Sequence, residues 1–586
     1  MSHCFHITSH FARTIFLKEM RACQFLYAIP LLLVIVLGCP KASTRYGELE
    51  GFTYLMKNGK VAEVFLGIPY ARPPIGDARF EPPMPMRPWQ GIRQATQFSA
   101  SCFPLRKETL SRHQQYSEDC LYLNVMAPYR KSGNESRYPV LVYIHDGRFE
   151  SGTASSFGYK RFCDNLVSQG IVAVSINYRV GFLGFWTTGD HALPGNAGLL
   201  DQAQALTYVN ENIEVFGGDP LRVTILGHGS GAASATALSF SPYSNHLFQQ
   251  AISISGSIFS QLAISETTIE DSLRLAETVS CRNERSKITR DCMKKKTIIE
   301  LMNGVIEVEA THPERKGIKF RPVFDDNFLK PPLEELMSRA PHITNIVGLT
   351  NASPGFLPKP IPTSKMSKFS ADDLIDYIKE DIATKNNFGA AAKDFQHKLI
   401  EFFVRRDAPQ HADSDFYLGR LLEVMNDLRF NAPLLYEIEM KRKYKWSTYF
   451  FIREYDQIRQ NILQSVKGAD DVDEYMYLFG PSELSRNIKF TVNDVTYQRV
   501  FLNSLVQFIK TGDPSHQNLI WENIDDTHGS RYLNFSQKPH MVEKYKPENV
   551  YFWTQVVPTE IRGRIGTGKR LDRRDAHTHS HTHTEL

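Results

Sequence analysis

Short runs of consecutive apolar residues alternate along the chain with longer segments in which apolar residues recur every three or four positions. The short runs are typical of buried strands, and the longer segments are typical of helices with one buried face. The predicted strands lie at Val140–Ile144, Val172–Asn177, Val223–Leu226, Ile252–Ile254, Ile346–Val347 and Tyr449–Ile452. The clearest helical pattern runs from Leu199 to Ile213. This alternation predicts an α/β protein with a large, mostly parallel central sheet flanked by helices.

One predicted strand continues into a glycine-rich turn and then into a helix of small residues, between Val223 and Ala237. The turn reads Gly227-His228-Gly229-Ser230-Gly231. A strand that doubles back so tightly into a helix needs glycine, because there is little room for side chains. In one class of α/β enzymes, a corner of this kind with the pattern G-x-S-x-G presents a nucleophilic serine at its apex.

The two ends of the chain differ from its body. The apolar run Phe25–Leu37 has the length of a signal-peptide core, so residues 1–43 are predicted to be a leader. The alternative is a signal anchor that stays in the membrane. Residues 44–560 form the predicted domain. Residues 561–586 form a basic, histidine-rich, flexible tail that ends in His583–Leu586, which is similar to a retrieval signal of the endoplasmic reticulum.

Composition narrows the possibilities further. The 586 residues are 42% hydrophobic and 23% charged, which is typical of a globular protein and excludes wholesale disorder. The formal net charge of +4 is too small to argue for nucleic acid as a partner. No other segment after the leader is apolar enough to span a bilayer. No metal site and no cofactor are predicted.

Passage through the secretory pathway would permit disulfides and N-linked glycans. Two pairs of cysteines bracket short loops, and a further cysteine, Cys163, is predicted to be a buried, unpaired apolar residue. The bracketing cysteines are Cys102 with Cys120, and Cys281 with Cys292. Glycosylation sequons begin at Asn134, Asn351 and Asn534.

From about Tyr46 to Pro558, the chain resembles the type-B carboxylesterase and cholinesterase family. The segments that carry the resemblance, in family order, are Phe65–Ala71, Ser117–Val125, Asn177–Gly181 and Asn196–Gln202. The resemblance implies the α/β-hydrolase fold. It also implies the disulfides Cys102–Cys120 and Cys281–Cys292 and the structural ion pairs Arg79–Glu118 and Arg179–Asp201.

The resemblance also assigns the catalytic positions, and the chain departs from the family at each of them. The elbow serine position is Gly229, one residue before Ser230. The acid position is Ser353, or Pro354 if the register shifts by one, and the histidine position is Asp471. In the family's oxyanion-hole motif H-G-G-G-F, Asp146 and Arg148 replace the glycines on either side of Gly147. The sequence therefore predicts a scaffold that has lost its reaction.

The first hypothesis is thus a pseudo-esterase of the secretory pathway that binds an unknown protein or small ligand. It resembles the neuroligin-like and other cholinesterase-like adhesion proteins, which also have glycine at the elbow. The alternative is an ester hydrolase resident in the endoplasmic reticulum that uses Ser230, with His228 nearby. A scaffold without any ligand, and a homodimer, are left open. The expected location is the lumen of the endoplasmic reticulum, and secretion is the second choice.

Overall fold

The computed structural model describes residues 39–112, 114–129, 137–260, 262–265, 267–311, 319–330, 332–350, 361–455, 474–480, 490–517, 519–557 and 561. Its strands are β1 Lys41–Thr44, β2 Gly47–Glu50, β3 Phe52–Leu55, β4 Val61–Pro69, β5 Ile92–Gln94, β6 Tyr122–Pro128, β7 Tyr138–Ile144, β8 Val172–Ile176, β9 Gly218–His228, β10 Gln250–Ile254, β11 Thr344–Thr350, β12 Thr448–Arg453, β13 Tyr532–Phe535 and β14 His540–Val542.

The α-helices of the described ranges are α1 Gly158–Asn165, α2 Gly181–Phe185, α3 Ala197–Asn212, α4 Ser230–Phe240, α5 Thr267–Thr278, α6 Ser286–Lys295, α7 Ile298–Thr311, α8 Leu333–Arg339, α9 Thr363–Met366, α10 Ala371–Tyr377, α11 Lys385–Phe388, α12 Ala392–Leu399, α13 Ser414–Asn426, α14 Ala432–Lys443, α15 Glu474–Phe479, α16 Val492–Thr511 and α17 Pro547–Tyr551. A π-helical segment at Asp427–Asn431 joins α13 to α14.

Among the described residues, eleven strands form one sheet in the order β14-β13-β12-β11-β10-β9-β7-β8-β6-β4-β3. Neighbours run parallel from β8 through β7, β9, β10, β11 and β12 to β13. The remaining pairs at the two edges are antiparallel. The α/β-hydrolase fold expected from the sequence is confirmed, and the antiparallel strands before residue 128 are additions that the apolar runs did not reveal.

The sheet separates two apolar layers. Alternate residues of β7 face opposite sides, so that Val140, Val142 and Ile144 join one buried cluster. Leu141 and Tyr143 join the other. Because both faces are covered by helices, the central strands are apolar along their whole length, as the short apolar runs of the sequence predicted.

The parallel strands end together at one edge of the sheet. Ile144 of β7 pairs with Gly227 of β9, and Ile254 of β10 pairs with His228. In α/β sheets, the crevice beyond the carboxyl ends of the strands is the usual ligand site. The loops that follow β7, β9 and β10 therefore define the place to look for function.

Disulfide bonds stabilise this fold. The disulfides Cys102–Cys120 and Cys281–Cys292 are both formed, as the family resemblance implied. Cys163 is buried and is unpaired among the described cysteines.

The two ion pairs implied by the resemblance are present in the structure. Arg79 contacts Glu118 through Nε at 2.6 Å and through a second guanidinium nitrogen. Arg179 binds Asp201 through both Nε and Nη2, each at 2.7 Å. The Arg179 and Asp201 side chains are 2% and 0% exposed, so each charge depends on the other for compensation.

Candidate functional site

The turn between β9 and α4 is the elbow predicted from the sequence. Gly229 occupies its apex, with φ 56° and ψ −118°, a conformation that side-chain-bearing residues adopt at a cost. The Gly229 N–H donates to the carbonyl of Ile254 at the end of β10. Neighbouring glycines permit close packing, since a Cβ on Gly227 would lie 2.0 Å from the carbonyl oxygen of Gly231. The tight backbone packing of the turn therefore explains why these positions are glycines.

The space beside the apex is filled by another residue. A Cβ built on Gly229 would lie 2.6 Å from Cγ, Oδ1 and Oδ2 of Asp146. Real Cβ atoms essentially never approach so closely, so the Asp146 carboxylate takes the volume into which an apex side chain would project. The sequence predicted that Asp146 brings a carboxylate to this loop, and the structure shows where that carboxylate lies.

Hydrogen bonds hold the Asp146 carboxylate at the elbow. Its Oδ1 accepts from the Ser230 backbone N–H at 2.8 Å and from the Ser230 hydroxyl at 2.7 Å. It also accepts from the Arg148 backbone N–H at 3.2 Å. In serine hydrolases of this fold, the N–H of the residue after the nucleophile is an oxyanion donor. Here the equivalent N–H, that of Ser230, already binds an anion supplied by the chain.

The electrostatics of Asp146 match this arrangement. Burial by itself raises the pKa of the carboxyl, but hydrogen bonding and charge from His228, with hydrogen bonds from Ser230 and Gly147, outweigh it. The net result is a pKa well below the usual range of aspartate. His228 is buried, with Nδ1 lying 3.9 Å from Asp146 Oδ2. Asp146 is therefore an anion in the folded protein at neutral pH.

His145, which precedes Asp146, is a buried neutral residue. Its ring stacks on Tyr178 with 4.2 Å between ring centroids, and its Nδ1 lies 2.8 Å from the Asp146 carbonyl oxygen. Burial lowers the pKa of His145 to about 4, although the backbone and charge of Asp146 oppose the shift. The Tyr178 hydroxyl donates to the His145 carbonyl at 2.8 Å. These contacts fix the start of the loop that carries Asp146.

Two assigned catalytic positions lie outside the described residues. Strand β11 ends at Thr350, before Ser353, and strand β12 ends at Arg453, before Asp471. Their assignments stay predictions, as do the glycosylation sites Asn134 and Asn351, which lie outside the described residues too.

The third sequon falls within a strand. Asn534 lies in β13, is 8% exposed, and donates from Nδ2 to Glu454 Oε2 at 2.6 Å. Attachment of a glycan to that nitrogen would require the Asn534 side chain to become exposed and to lose its hydrogen bond to Glu454. Glycosylation at Asn534 stays a prediction that this environment does not favour.

Sequence reasoning singled out Arg148 but missed the cations that lie near it. Lys319, Arg321 and Arg429 come from distant parts of the chain, and Arg321 is 6% exposed. An arginine within an otherwise apolar stretch, such as Arg321 between Phe320 and Pro322, was the available signal. A charged residue in such a setting needs a partner or a function.

Two further observations concern metal binding and membrane spanning by the described residues. Within the described ranges, no group of three or more His, Cys, Asp and Glu side chains is arranged to hold a metal ion. No helix in the described part of the chain combines the length and apolar character needed to cross a bilayer.

The profile of the carboxylesterase family matches residues 38–553. Gut esterase 1 of Caenorhabditis briggsae is 35% identical over 516 residues, covering 85% of this chain and 89% of the relative. Mouse carboxylesterase 1E is 31% identical over 556 residues, covering 89% of this chain and 94% of the relative.

A relative that is not named as an esterase matches a similar length of this chain. Mouse neuroligin-3 is 30% identical over 586 residues, covering 89% of this chain and 69% of the relative. Relatives named as esterases and relatives named as neuroligins therefore both match most of this chain, and gut esterase 1 has the higher identity, 35% against 30% for neuroligin-3. On the extent of these matches, the chain belongs to the carboxylesterase family.

Proposed function

We propose that this chain is a non-catalytic member of the carboxylesterase family that binds a protein or a small ligand. The observation that carries the proposal is the occupied elbow, where Gly229 offers no hydroxyl and the Asp146 carboxylate fills the adjoining space. Loss of one triad residue in a serine hydrolase costs roughly 10⁴ to 10⁶ in turnover. Resemblance assigns non-family residues to the other two positions, Ser353 and Asp471.

A carboxylate at the oxyanion donor is a second support for the proposal. An ester hydrolase needs free N–H groups for the negative charge that develops on the substrate oxygen. The Ser230 N–H is committed to Asp146 at 2.8 Å, and a negative charge already sits there. A developing oxyanion would meet electrostatic repulsion at the point where catalysis requires stabilisation.

The alternative candidate is a hydrolase that uses Ser230 as its nucleophile. The short hydrogen bond from its hydroxyl to Asp146 is the observation in its favour, because a nucleophile needs an adjacent base. The low pKa of Asp146 argues against this role, since a carboxylate that holds protons so weakly is a poor general base. Ser230 is also only 8% exposed.

We further propose a location in the lumen of the endoplasmic reticulum, with secretion as the second choice. The apolar run Phe25–Leu37 supports passage into the lumen, and the final residues His583–Leu586 support retrieval. The partner that we propose for such a lumenal binding protein is a protein or a small ligand.

A hydrolysis assay tests the proposal. Wild-type protein and Ser230→Ala are purified from a secretory expression host and supplied with short- and long-chain nitrophenyl esters. We expect both proteins to release nitrophenol at the same rate as a matched mock purification. Hydrolysis by the wild type that is lost in Ser230→Ala would support the alternative and overturn the proposed function.

A further inference from the structure

The turn between β3 and β4 contains one of the two Asn-Gly dipeptides in the sequence, Asn58-Gly59. Residues 57–60 are all exposed. The Met56 N–H donates to the Lys60 carbonyl at 2.9 Å, and the Gly59 N–H donates to the Met56 carbonyl at 2.9 Å. Gly59 has φ 80°, so the turn is a three-residue hairpin loop whose last residue has a left-handed conformation that favours glycine.

The Asn58 side chain folds back over the peptide bond that follows it. Its Oδ1 accepts from the Lys60 backbone N–H at 3.0 Å, so the side-chain amide lies along the backbone instead of extending into solvent. The side chain therefore stays beside the Gly59 peptide, whose nitrogen can close a small imide ring with Cγ of Asn58. The hydrogen bond from Lys60 also stabilises the negative charge that develops on Oδ1 when Cγ is attacked.

The Gly59 nitrogen is weakly protected from reaction. Gly59 has no side chain, and a Cβ built on it would meet nothing within 4 Å, so the peptide is uncrowded on that side. The hydrogen bond from the Gly59 N–H to the Met56 carbonyl must open before the nitrogen can attack. Hydrogen bonds at exposed loop tips open at little cost in free energy, so this opening is frequent.

The second Asn-Gly dipeptide, Asn303-Gly304, lies inside α7 and provides an internal comparison. The Asn303 Oδ1 accepts from Nζ of Lys107, which holds the side chain against another segment. Gly304 is buried, and a Cβ there would lie 2.8 Å from Leu275 Cδ1 and from Val279 Cγ1. In a helix interior, each N–H bonds to the carbonyl four residues earlier. Attack by the Gly304 nitrogen therefore requires α7 to unfold locally.

We propose that Asn58 is a site of spontaneous deamidation in the folded protein and that Asn303 is protected from it. The Gly59 backbone nitrogen forms a bond to Asn58 Cγ, and the side-chain nitrogen leaves as ammonia, carrying away the proton that the backbone nitrogen loses. Water then adds to either carbonyl of the cyclic imide and opens the ring. The product is an aspartyl or an isoaspartyl residue, and the net reaction consumes water and releases ammonia without oxidation or reduction.

The two products change the hairpin in different ways. Both add a negative charge between Lys57 and Lys60. The isoaspartyl product also routes the main chain through the side-chain carbonyl, which lengthens the turn. Because the turn sets the register of a hairpin, we expect the pairing of Leu55 with Val61 beside the turn to weaken. Strand β3 lies at the end of the eleven-stranded sheet, so this loosening affects an edge of the fold.

The rates at the two dipeptides are measured on the full-length protein, incubated at pH 8 and 37 °C and digested with endoproteinase Glu-C. Cleavage after glutamate releases peptides 51–63 and 301–307, each of which contains one asparagine and no glutamine. Mass spectrometry measures conversion of the amide to the acid, and a protein isoaspartyl methyltransferase with a labelled methyl donor measures the isoaspartyl fraction. We expect peptide 51–63 to convert at least about tenfold faster than peptide 301–307, since a loop tip opens far more often than a helix interior.

Urea-unfolded protein is the control for local sequence. In urea, the two peptides should convert at similar rates, and a difference as large as that in the folded protein would overturn the structural explanation. In the folded protein, conversion of peptide 301–307 as fast as peptide 51–63 would overturn the inference. So would a peptide 51–63 that stays unchanged while the same peptide converts in urea.

The matched variants Asn58→Gln and Asn303→Gln test the effect on the hairpin. Glutamine has one more carbon and does not close the same ring, so amide hydrogen exchange in β3 should rise with incubation time in the wild type and in Asn303→Gln. It should stay constant in Asn58→Gln, and an equal rise in all three proteins would refute the link between deamidation and β3. These measurements do not depend on whether the chain hydrolyses esters, so this inference and the proposed function fail separately.

Discussion

Adding one methyl group at the elbow is the most informative perturbation of stability. In Gly229→Ala, the new Cβ would lie 2.6 Å from Cγ and both carboxylate oxygens of Asp146. The carboxylate must then move, at the expense of its hydrogen bonds to the backbone and hydroxyl of Ser230. We expect the substitution to lower the free energy of unfolding through both this displacement and the strained backbone of residue 229.

The two contributions have separate magnitudes. A side-chain-bearing residue at positive φ costs ~1–2 kcal/mol. Overpacking of a filled site costs ~1–3 kcal/mol. Gly389→Ala is the reference for a positive-φ cost without crowding, because Gly389 has the same φ of +56° and a Cβ there would meet nothing within 4 Å. Gly229→Ala should therefore cost ~2–5 kcal/mol, and Gly389→Ala only the smaller backbone part.

A double-mutant cycle with Asp146→Ala tests whether the overpacking cost of Gly229→Ala comes from the Asp146 carboxylate. Urea denaturation, followed by tryptophan fluorescence, is measured for the wild type, both single variants and the double variant. If Asp146 fills the apex, Gly229→Ala should cost ~1–3 kcal/mol less when Asp146 is already alanine. An equal cost in both backgrounds would refute the view that the carboxylate occupies this space.

Three other predictions concern the ion pair, the response to pH and the location. Arg179→Met should lower stability by ~3–5 kcal/mol because it leaves Asp201 buried and unpaired, and a denaturation midpoint close to that of the wild type would contradict this reasoning. His145 has a folded pKa of about 4, below its unfolded value of about 6.5, so the stability it contributes is full above pH 6.5 and is lost as pH falls toward 4. His145→Gln should therefore lose less melting temperature than the wild type between pH 7 and pH 4.5, and parallel curves would argue against a buried neutral histidine. Deleting Thr584–Leu586 should move the protein from endoglycosidase-H-sensitive intracellular pools into the medium, and secretion of the full-length chain would exclude retrieval.

The sequence was sufficient for the features that depend on local pattern. The apolar runs at Val140–Ile144 and Val172–Asn177 predicted central strands, because strands buried on both faces are apolar throughout. The elbow was predicted from the glycines around Gly229, which the turn requires for steric reasons. The short strands β1 and β2, which pair with β5 in a separate three-stranded sheet, have mixed exposure and gave no comparable signal.

The features that depend on distant contacts could not be predicted in the same way. Asp146 and Ser230 are 84 residues apart, and only the aligned ends of β7 and β9 bring them together. The sequence identified Asp146 as an unusual residue in its loop but did not show that it closes the elbow. Likewise, nothing local to Arg321 or Arg429 indicates that the charge of Arg148 lowers the pKa of each, because this effect is a property of the folded chain.

Reaction with a fluorophosphonate, followed by intact-mass spectrometry, tests the central claim most directly. The probe modifies activated serine hydroxyls, and the claim is that the Gly229 apex has none while the Ser230 hydroxyl is held by an anion. We predict that the mass of the wild-type protein stays unchanged under conditions that label a control carboxylesterase completely. Stoichiometric labelling of the wild type that maps to Ser230, and that is absent in Ser230→Ala, would contradict the account.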